Sequence, residues 1–369
     1  MATIKPREYR PDTAIAPGAT ISEMLLSKGI TQAGLAERMK RPANKINEIL
    51  RGKRAITAET ALELELVLGL PAGFWLELEK NYQLARKRID AAKRIEEQAA
   101  TASLFPLREM ARFGWIQKVR DPAENARRLL AFFGIASFSQ LRSPNVMEMA
   151  FRRSQTERAN PYSLAAWVRR GQIEATEANV ESFDAKGLRA SIPEFRALSL
   201  LPPHAAMPKL AAACARFGVA VVYVPLLPKS YVCGAAYWLG DKAVIQLSLR
   251  FRSDDHLWFS FFHELGHILL HGKKNTFLDD FKPNEDEKER EANEFARKSL
   301  IPDAQFERLV ALDFTQTEVV RRFAREIGIA PGVVVGRLQH DQLIAFSELN
   351  SLKIRLDTQN GLQGATREC

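Results

Sequence analysis

Two of the six histidines in this 369-residue chain stand four residues apart, in Trp258-Phe259-Ser260-Phe261-Phe262-His263-Glu264-Leu265-Gly266-His267. On a helix that spacing puts both imidazoles on one face, where they can hold one Zn²⁺. Glu264 is turned aside, placed to accept a proton from an attacking water. The arrangement is the HExxH pattern of metal-assisted peptide-bond hydrolysis. The apolar residues around it predict a largely buried helix.

Such a site needs a third ligand and an open fourth position. The acidic run Glu285-Asp286-Glu287-Lys288-Glu289-Arg290-Glu291-Ala292-Asn293-Glu294-Phe295-Ala296 offers several carboxylates. Ala292, Phe295, Ala296 and Leu300 define the inward face of a helix. Glu289 projects to that face, whereas Glu291 projects elsewhere. Glu289 is therefore the favoured ligand and Glu291 the alternative. Asn293, one turn on, could orient a zinc-bound imidazole through a hydrogen bond. His271 continues the stripe of His263 and His267 and is a minor candidate for a fourth ligand. Tyr231 or Tyr237 could stabilise an oxyanion. His204, His256 and His340 are assigned nothing.

The elements that must position these groups precede them. Val219–Val224 reads as a buried strand, and Ala235–Leu239 and Ala243–Leu249 flank Gly240-Asp241 as a hairpin. One hairpin strand could hold substrate as an added strand. The segment FFHELGHILLHG with EREANEFARKSLIP resembles the ImmA/IrrE family of metallopeptidases, over about residues 205–345. The resemblance implies a zincin-like fold, zinc on His263, His267 and Glu289, and Glu264 as base. It implies a protein substrate, such as a repressor or antitoxin.

A second chemistry is suggested near the N-terminus. Thr20-Ile21-Ser22-Glu23 reads as a capping box opening a first helix. Thr31 caps a second, Gln32–Met39, and Pro42 opens a third, Ala43–Leu50. Thr57 starts a fourth, ending at Gly69. A fifth opens at Pro71 and carries Phe74, Trp75 and Leu78 inward. Helices two and three, joined by a short turn, have the helix-turn-helix layout. Ala36 is small where those helices cross, and Ile46 and Ile49 pin the third from below. Lys40 occupies a turn position that favours a left-handed backbone, and Gly34 weakens the second helix. Residues 31–54 hold seven Lys/Arg against two acids. Asn44, Lys45 and Asn47 could reach base edges, and Gln32, Lys53 and Arg54 phosphates. The stretch from Pro17 to Ala85 resembles a HigA-type antitoxin domain of the Xre/Cro class. The resemblance implies a homodimer on a palindromic double-stranded DNA operator, autorepression, and a toxin as a further partner.

Between these ends, residues 82–103 read as an exposed helical linker. Residues 104–203 read as a helical segment packed onto the C-terminal domain; its basic pairs are solvated faces. Thr315–Leu338 repeats helix-turn-helix spacing (Val320, Ala324, Gly328, Val334) amid mixed charge, and a structural role is preferred. The organisation expected is therefore 1–81 DNA-binding, 82–103 linker, 104–203 middle, 204–345 peptidase and 346–369 tail. The fold class is α+β, mostly α: a five-helix N-terminal bundle, then a domain with a small antiparallel sheet and the HExxH helix.

The net charge of +9 is concentrated in the first 200 residues, where a polyanion would bind. No run of residues is apolar and long enough to span a bilayer, and the first residues lack a secretory pattern. Cys214, Cys233 and Cys369 form no CxxC pair, and a cytoplasmic, reducing setting is expected. Together these features indicate a DNA-binding regulator with a zinc endopeptidase domain. The alternative is a non-proteolytic antitoxin or autorepressor whose zinc domain senses a ligand or binds a toxin.

Overall fold

The structure, a computed structural model, describes residues 13–142, 159–248, 250–273, 277–279 and 287–356. Backbone contacts divide the chain into two compact units, Met1–Ala99 and Ala100–Cys369. Fold class is α+β with helix dominant, as expected. Among the described residues no helix is long and apolar enough to cross a membrane.

The first unit contains α1 (Pro17–Ser27), α2 (Gln32–Arg38), α3 (Ala43–Leu50), α4 (Ala58–Leu68) and α5 (Ala72–Glu97). Helix α1 begins three residues earlier than its expected capping box. Pro17, whose ring presets the helical φ, occupies the first turn, so Thr20 lies inside the helix. Thr31 Oγ1 accepts from Gly34 N at 3.0 Å and caps α2 as expected. Lys40 adopts φ 49°, so the chain turns there with a lysine where glycine is easier. Ile21, Leu35, Ile46, Ile49, Leu64 and Trp75 form the core. A Cβ on Gly18 would lie 2.0 Å from the Leu50 carbonyl oxygen, so α1 and α3 cross in close contact. Phe74 departs from expectation: it is 41% exposed while Trp75 next to it is fully buried. Adjacent helical positions lie about 100° apart, so with Trp75 turned into the core Phe74 falls toward the edge of the buried face. The fifth helix and the first part of the expected linker are one uninterrupted helix, because no Gly or Pro breaks it after Gly73.

In the second unit, α6 (Leu107–Arg112), α7 (Pro122–Phe133) and α8 (Pro161–Glu177) precede the sheet. Arg127, Arg128 and Arg170 of the expected basic pairs bond Glu124 or Glu174 on their own helices, and Arg152-Arg153 lie outside the described residues. Helix α8 is seated on the sheet. Trp167 Nε1 donates to the Val224 carbonyl at 3.0 Å, and Gln246 Nε2 donates to the Trp167 carbonyl at 2.8 Å. After α9 (Pro203–Ala215) come β1 (Val219–Tyr223), β2 (Gly234–Leu239) and β3 (Lys242–Leu247), with β4 (Phe277–Asp279) later in the chain.

The sheet order is β1-β3-β2-β4. The hairpin β2–β3 is antiparallel, with Gly240 at φ 61° in its turn. The sheet as a whole is mixed and not purely antiparallel: β1 joins the far side of β3 in parallel. The stretch 224–233 carries the chain beyond the place that β3 will take, so β3 inserts between β1 and β2 and lies parallel to β1, where a meander would have set β1 beside β2. The pairing of β2 with β4 over Gly234–Ala236 also covers the hairpin strand expected to accept substrate. Among the described residues the open edge on that side is β4.

Helix α10 (Asp254–His271) packs along α11 (Glu287–Leu300), followed by α12 (Asp303–Val310), α13 (Thr317–Ile327) and α14 (Pro331–His340). Val320, Ala324 and Val334 are fully buried in the domain core. The helix-turn-helix spacing at Thr315–Leu338 thus serves packing. Would-be Cβ atoms on Gly332 and Gly336 fall 2.5 Å from Asp254 Oδ1 and 2.7 Å from Asp255 Cβ, so α14 rests on the start of α10. Part of the expected tail is also built in: Ile354 N donates to Asp254 Oδ1 at 2.9 Å and Lys353 Nζ bonds Asp255 Oδ2 at 2.6 Å. Cys214 and Cys233 are buried and form no disulfide among the described residues, and Cys369 lies outside the described residues.

Candidate metal centre and nucleic-acid interface

The close packing of α10 on α11 sets up the site. Gly266 makes that packing possible: a Cβ there would approach Ala292 Cα to 3.2 Å and Phe295 Cδ1 to 3.1 Å. Two helices running this close bring side chains on their facing stripes together. His263 Nε2 lies 3.2 Å from Glu289 Oε2 and 3.0 Å from His267 Nε2, and His267 Nε2 lies 3.6 Å from Glu289 Oε2. All three residues are buried. Ligands about 2.0–2.2 Å from one tetrahedral zinc are separated by about 3.4 Å. The three observed separations bracket that value, so the donor set fits zinc in type and spacing.

Protonation favours the same use. Burial, the largest influence, pushes His267 down to about 4, against the opposing pull of Glu289. Its imidazole is therefore neutral near pH 7, the form that binds a metal. Burial pushes Glu289 up, but the adjacent imidazoles of His263 and His267 outweigh it and hold the carboxyl below its ordinary value. His263 Nδ1 lies 2.9 Å from Asn293 Oδ1. An amide oxygen only accepts, so Nδ1 carries the proton and Nε2 presents its lone pair to the cluster.

Glu264 sits beside this cluster, fully buried on the sheet side of α10. A Cβ on Gly234 would stand 2.3 Å from Glu264 Oε1, so the first residue of β2 must lack a side chain for the carboxylate to fit. Sequence reasoning did not single out Gly234, although an isolated glycine opening a strand signals close approach. Glu291 is exposed, its Oε2 3.6 Å from His271 Nδ1, away from the group. His271 Nε2 also lies 3.1 Å from the Lys288 carbonyl, which ties it to α11 instead of to the three ligand atoms. Among the described residues only His263, His267 and Glu289 form such a group. Tyr237 is buried against the sheet, its hydroxyl donating to Gln246 Oε1 at 3.0 Å, and cannot reach an oxyanion. Tyr231 is 44% exposed, with Arg250 Nη1 donating to its carbonyl at 2.7 Å.

In the first unit the expected reading surface is presented by α2 and α3. Gln32 lies exposed in the first turn of α2, and Asn44 is exposed in the first turn of α3. Asn44 Oδ1 accepts from Lys45 N at 2.9 Å, leaving its NH₂ outward-capable. Lys45 and Asn47 are half-buried, and Lys53 is exposed. Arg54 Nε bonds Glu48 Oε2 at 2.8 Å, which offsets part of its charge. Arg41, counted in the basic run, is held by Glu63 and Glu59 and so belongs to the scaffold.

Residues 21–75 match the Helix-turn-helix family model, and residues 214–339 match the IrrE N-terminal-like domain. Virulence-associated protein I of Dichelobacter nodosus is 39% identical over 72 residues, 19% of this chain and 67% of that protein. The chain carries an N-terminal helix-turn-helix domain of the family of this relative and an IrrE-like peptidase-family domain. A HigA-family addiction module antidote protein from Coxiella burnetii is 32% identical over 23% of this chain and 94% of its own, with a TM-score of 0.21. The Pseudomonas aeruginosa antitoxin HigA, solved with the higBA promoter, is 33% identical over 23% of this chain and 95% of its own, with a TM-score of 0.22. The solved relatives correspond to the helix-turn-helix region alone. The IrrE-like match falls on the domain that holds the buried His-His-Glu group.

Proposed function

We propose that the chain is a cytoplasmic regulator in which a helix-turn-helix binds double-stranded operator DNA and a zinc endopeptidase domain cleaves a regulatory protein, such as a repressor or antitoxin. The observation that carries the enzymatic half is the convergence of His263, His267 and Glu289 beside the buried Glu264. Those three side chains would hold one Zn²⁺. Bound there, zinc supplies Lewis acidity toward water and the scissile carbonyl. Asn293 keeps the His263 ring in the tautomer that directs Nε2 to the cluster. Glu264 takes a proton from the attacking water and passes it to the departing amine. Its burial beneath Gly234 keeps the carboxylate out of bulk water, where that proton would otherwise exchange.

The DNA-binding half is supported by the helix-turn-helix match and by the 33% sequence identity to an antitoxin solved with promoter DNA. In this reading Asn44, Lys45 and Asn47 face base edges, and Gln32, Lys53 and Arg54 face phosphates. A homodimer on a palindromic site and a toxin partner belong to the same proposal and rest on family likeness alone. A purely metal-sensing domain has no use for Glu264, which favours catalysis over the non-proteolytic alternative.

Metal analysis of purified protein tests the site. About one zinc per chain, lost in His263→Ala and in Glu289→Ala, supports it. No zinc, and no uptake on addition, overturns the peptidase reading and leaves the DNA-binding function standing.

A further inference from the structure

A cavity of about 470 Å³ opens between α10, α11 and α14. That size lies within the range of sites that take small molecules or large side chains, about 300–1,000 Å³. Its position relates it to the metal centre. Phe259, in its wall, is four residues before His263 on α10, and Arg297, also in its wall, is four residues after Asn293 on α11. The cavity therefore begins about one helical turn from His263 on α10, and one turn beyond Asn293 and about two turns beyond Glu289 on α11. Phe259 is the shared partition: its ring lies 6.2 Å from the His263 ring and 6.0 Å from the His340 ring.

The lining chemistry selects the occupant. Phe251 and His256 stack at 4.3 Å on one side, and Leu300, Val333 and Phe346 complete an apolar, ring-rich wall. The charges present are already compensated. Arg297 and Arg337 share Asp341 at 3.2 and 2.6 Å, and Asp255 is paired with Lys353 at 2.6 Å. An anionic ligand would have to displace Asp341, whereas an aromatic or large aliphatic group can pack on the rings and aliphatic side chains of the wall and leave the paired charges at its edge in place.

We propose that this cavity receives a large apolar side chain, aromatic by preference, from the residue of the polypeptide substrate next to the bond that is cut. The inference rests on the peptidase reading of the adjacent site and names its substrate class: segments with a bulky apolar residue at the cleavage point. A repressor or antitoxin exposes such a residue only when its core opens or a surface helix loosens, so cleavage would select partly unfolded or remodelled targets.

The test uses the zinc-loaded full chain carrying Glu264→Gln, which binds without turning over. Two fluorophore-labelled decapeptides of Ala, Gly and Ser are compared, one with a single central Phe and one with Ala there. Fluorescence anisotropy is expected to show at least tenfold tighter binding of the Phe peptide. Adding Val333→Trp, which fills the cavity, is expected to erase that contrast while zinc content stays at one per chain. If Val333→Trp does not fold, Phe346→Ala on the exposed rim is expected to cut the contrast severalfold. Equal affinity for the two peptides, or a contrast that survives cavity filling, overturns the inference while leaving zinc binding intact. A chain that takes up no zinc overturns the reading of the site, and this inference with it.

Discussion

Replacing Asn293 by alanine is expected to weaken zinc binding while leaving the three ligands in place. The side chain contributes one hydrogen bond, from His263 Nδ1 at 2.9 Å. A neutral hydrogen bond is worth about 0.5–1.5 kcal/mol net. Losing it also lets the imidazole take the other tautomer, in which Nε2 carries the proton and cannot bind a metal until it reverts. Groups that orient metal-bound histidines typically change affinity about 10–100-fold, or about 1.4–2.7 kcal/mol. Asn293 is half-buried, so water can partly replace its oxygen, and the effect should fall near the tenfold end. Asn293→Asp preserves an acceptor and adds charge, so it should match or exceed the native affinity. The assay is competition for zinc against a chromophoric chelator at pH 7.5, with the thermal midpoint of the metal-free chains as control for folding. Zinc affinity of Asn293→Ala within twofold of native would refute the orienting role, as would a loss in Asn293→Asp equal to that in the alanine variant.

Three further outcomes are expected. Glu264→Gln should keep zinc and DNA binding but lower the cleavage rate about 10²–10⁴-fold, read by gel or mass spectrometry on a susceptible protein; undiminished cleavage would remove Glu264 from proton transfer. Asn44→Ala should cost about 1–3 kcal/mol on operator DNA and relax sequence preference, while Lys53→Ala should weaken all duplexes alike and reduce the salt slope by about 1. Arg54→Ala should cost less than Lys53→Ala because Glu48 already holds Arg54, and anisotropy titrations at several salt concentrations decide the order. The third concerns Asp254, whose carboxyl is pushed up to about 6 by burial, against the hydrogen bond from Ile354 N and with help from the Asp255 charge. Asp254 binds its proton more tightly folded than unfolded. Its contribution to stability is thus fully present below about pH 3.8 and is lost as the pH rises through about 6. Asp254→Asn keeps the acceptor for Ile354 N, so its advantage over native in urea unfolding should grow from pH 4 to pH 6, then level off at about 1–3 kcal/mol. A difference that does not vary with pH would show that Asp254 does not titrate in this way.

Local patterns in the sequence determined what depends on spacing along one helix. His263 and His267 share a face because four residues make roughly one turn, and Glu289 turns inward because it keeps step with Ala292 and Ala296. The caps at Thr31 and Thr57 and the core positions Ile46 and Ile49 follow the same rule. What required tertiary structure were relations between distant segments. The parallel placement of β1 depends on how 224–233 crosses the sheet, which strand propensity does not encode. The fit of Gly234 against Glu264 joins a strand to a helix thirty residues away. Tyr237 was lost to the site because pairing in the sheet sends its hydroxyl to Gln246. The cavity beside Phe259 exists only because α14 closes over α10 and α11. Periodicity describes one element's own faces, whereas these features arise where the faces of separate elements meet.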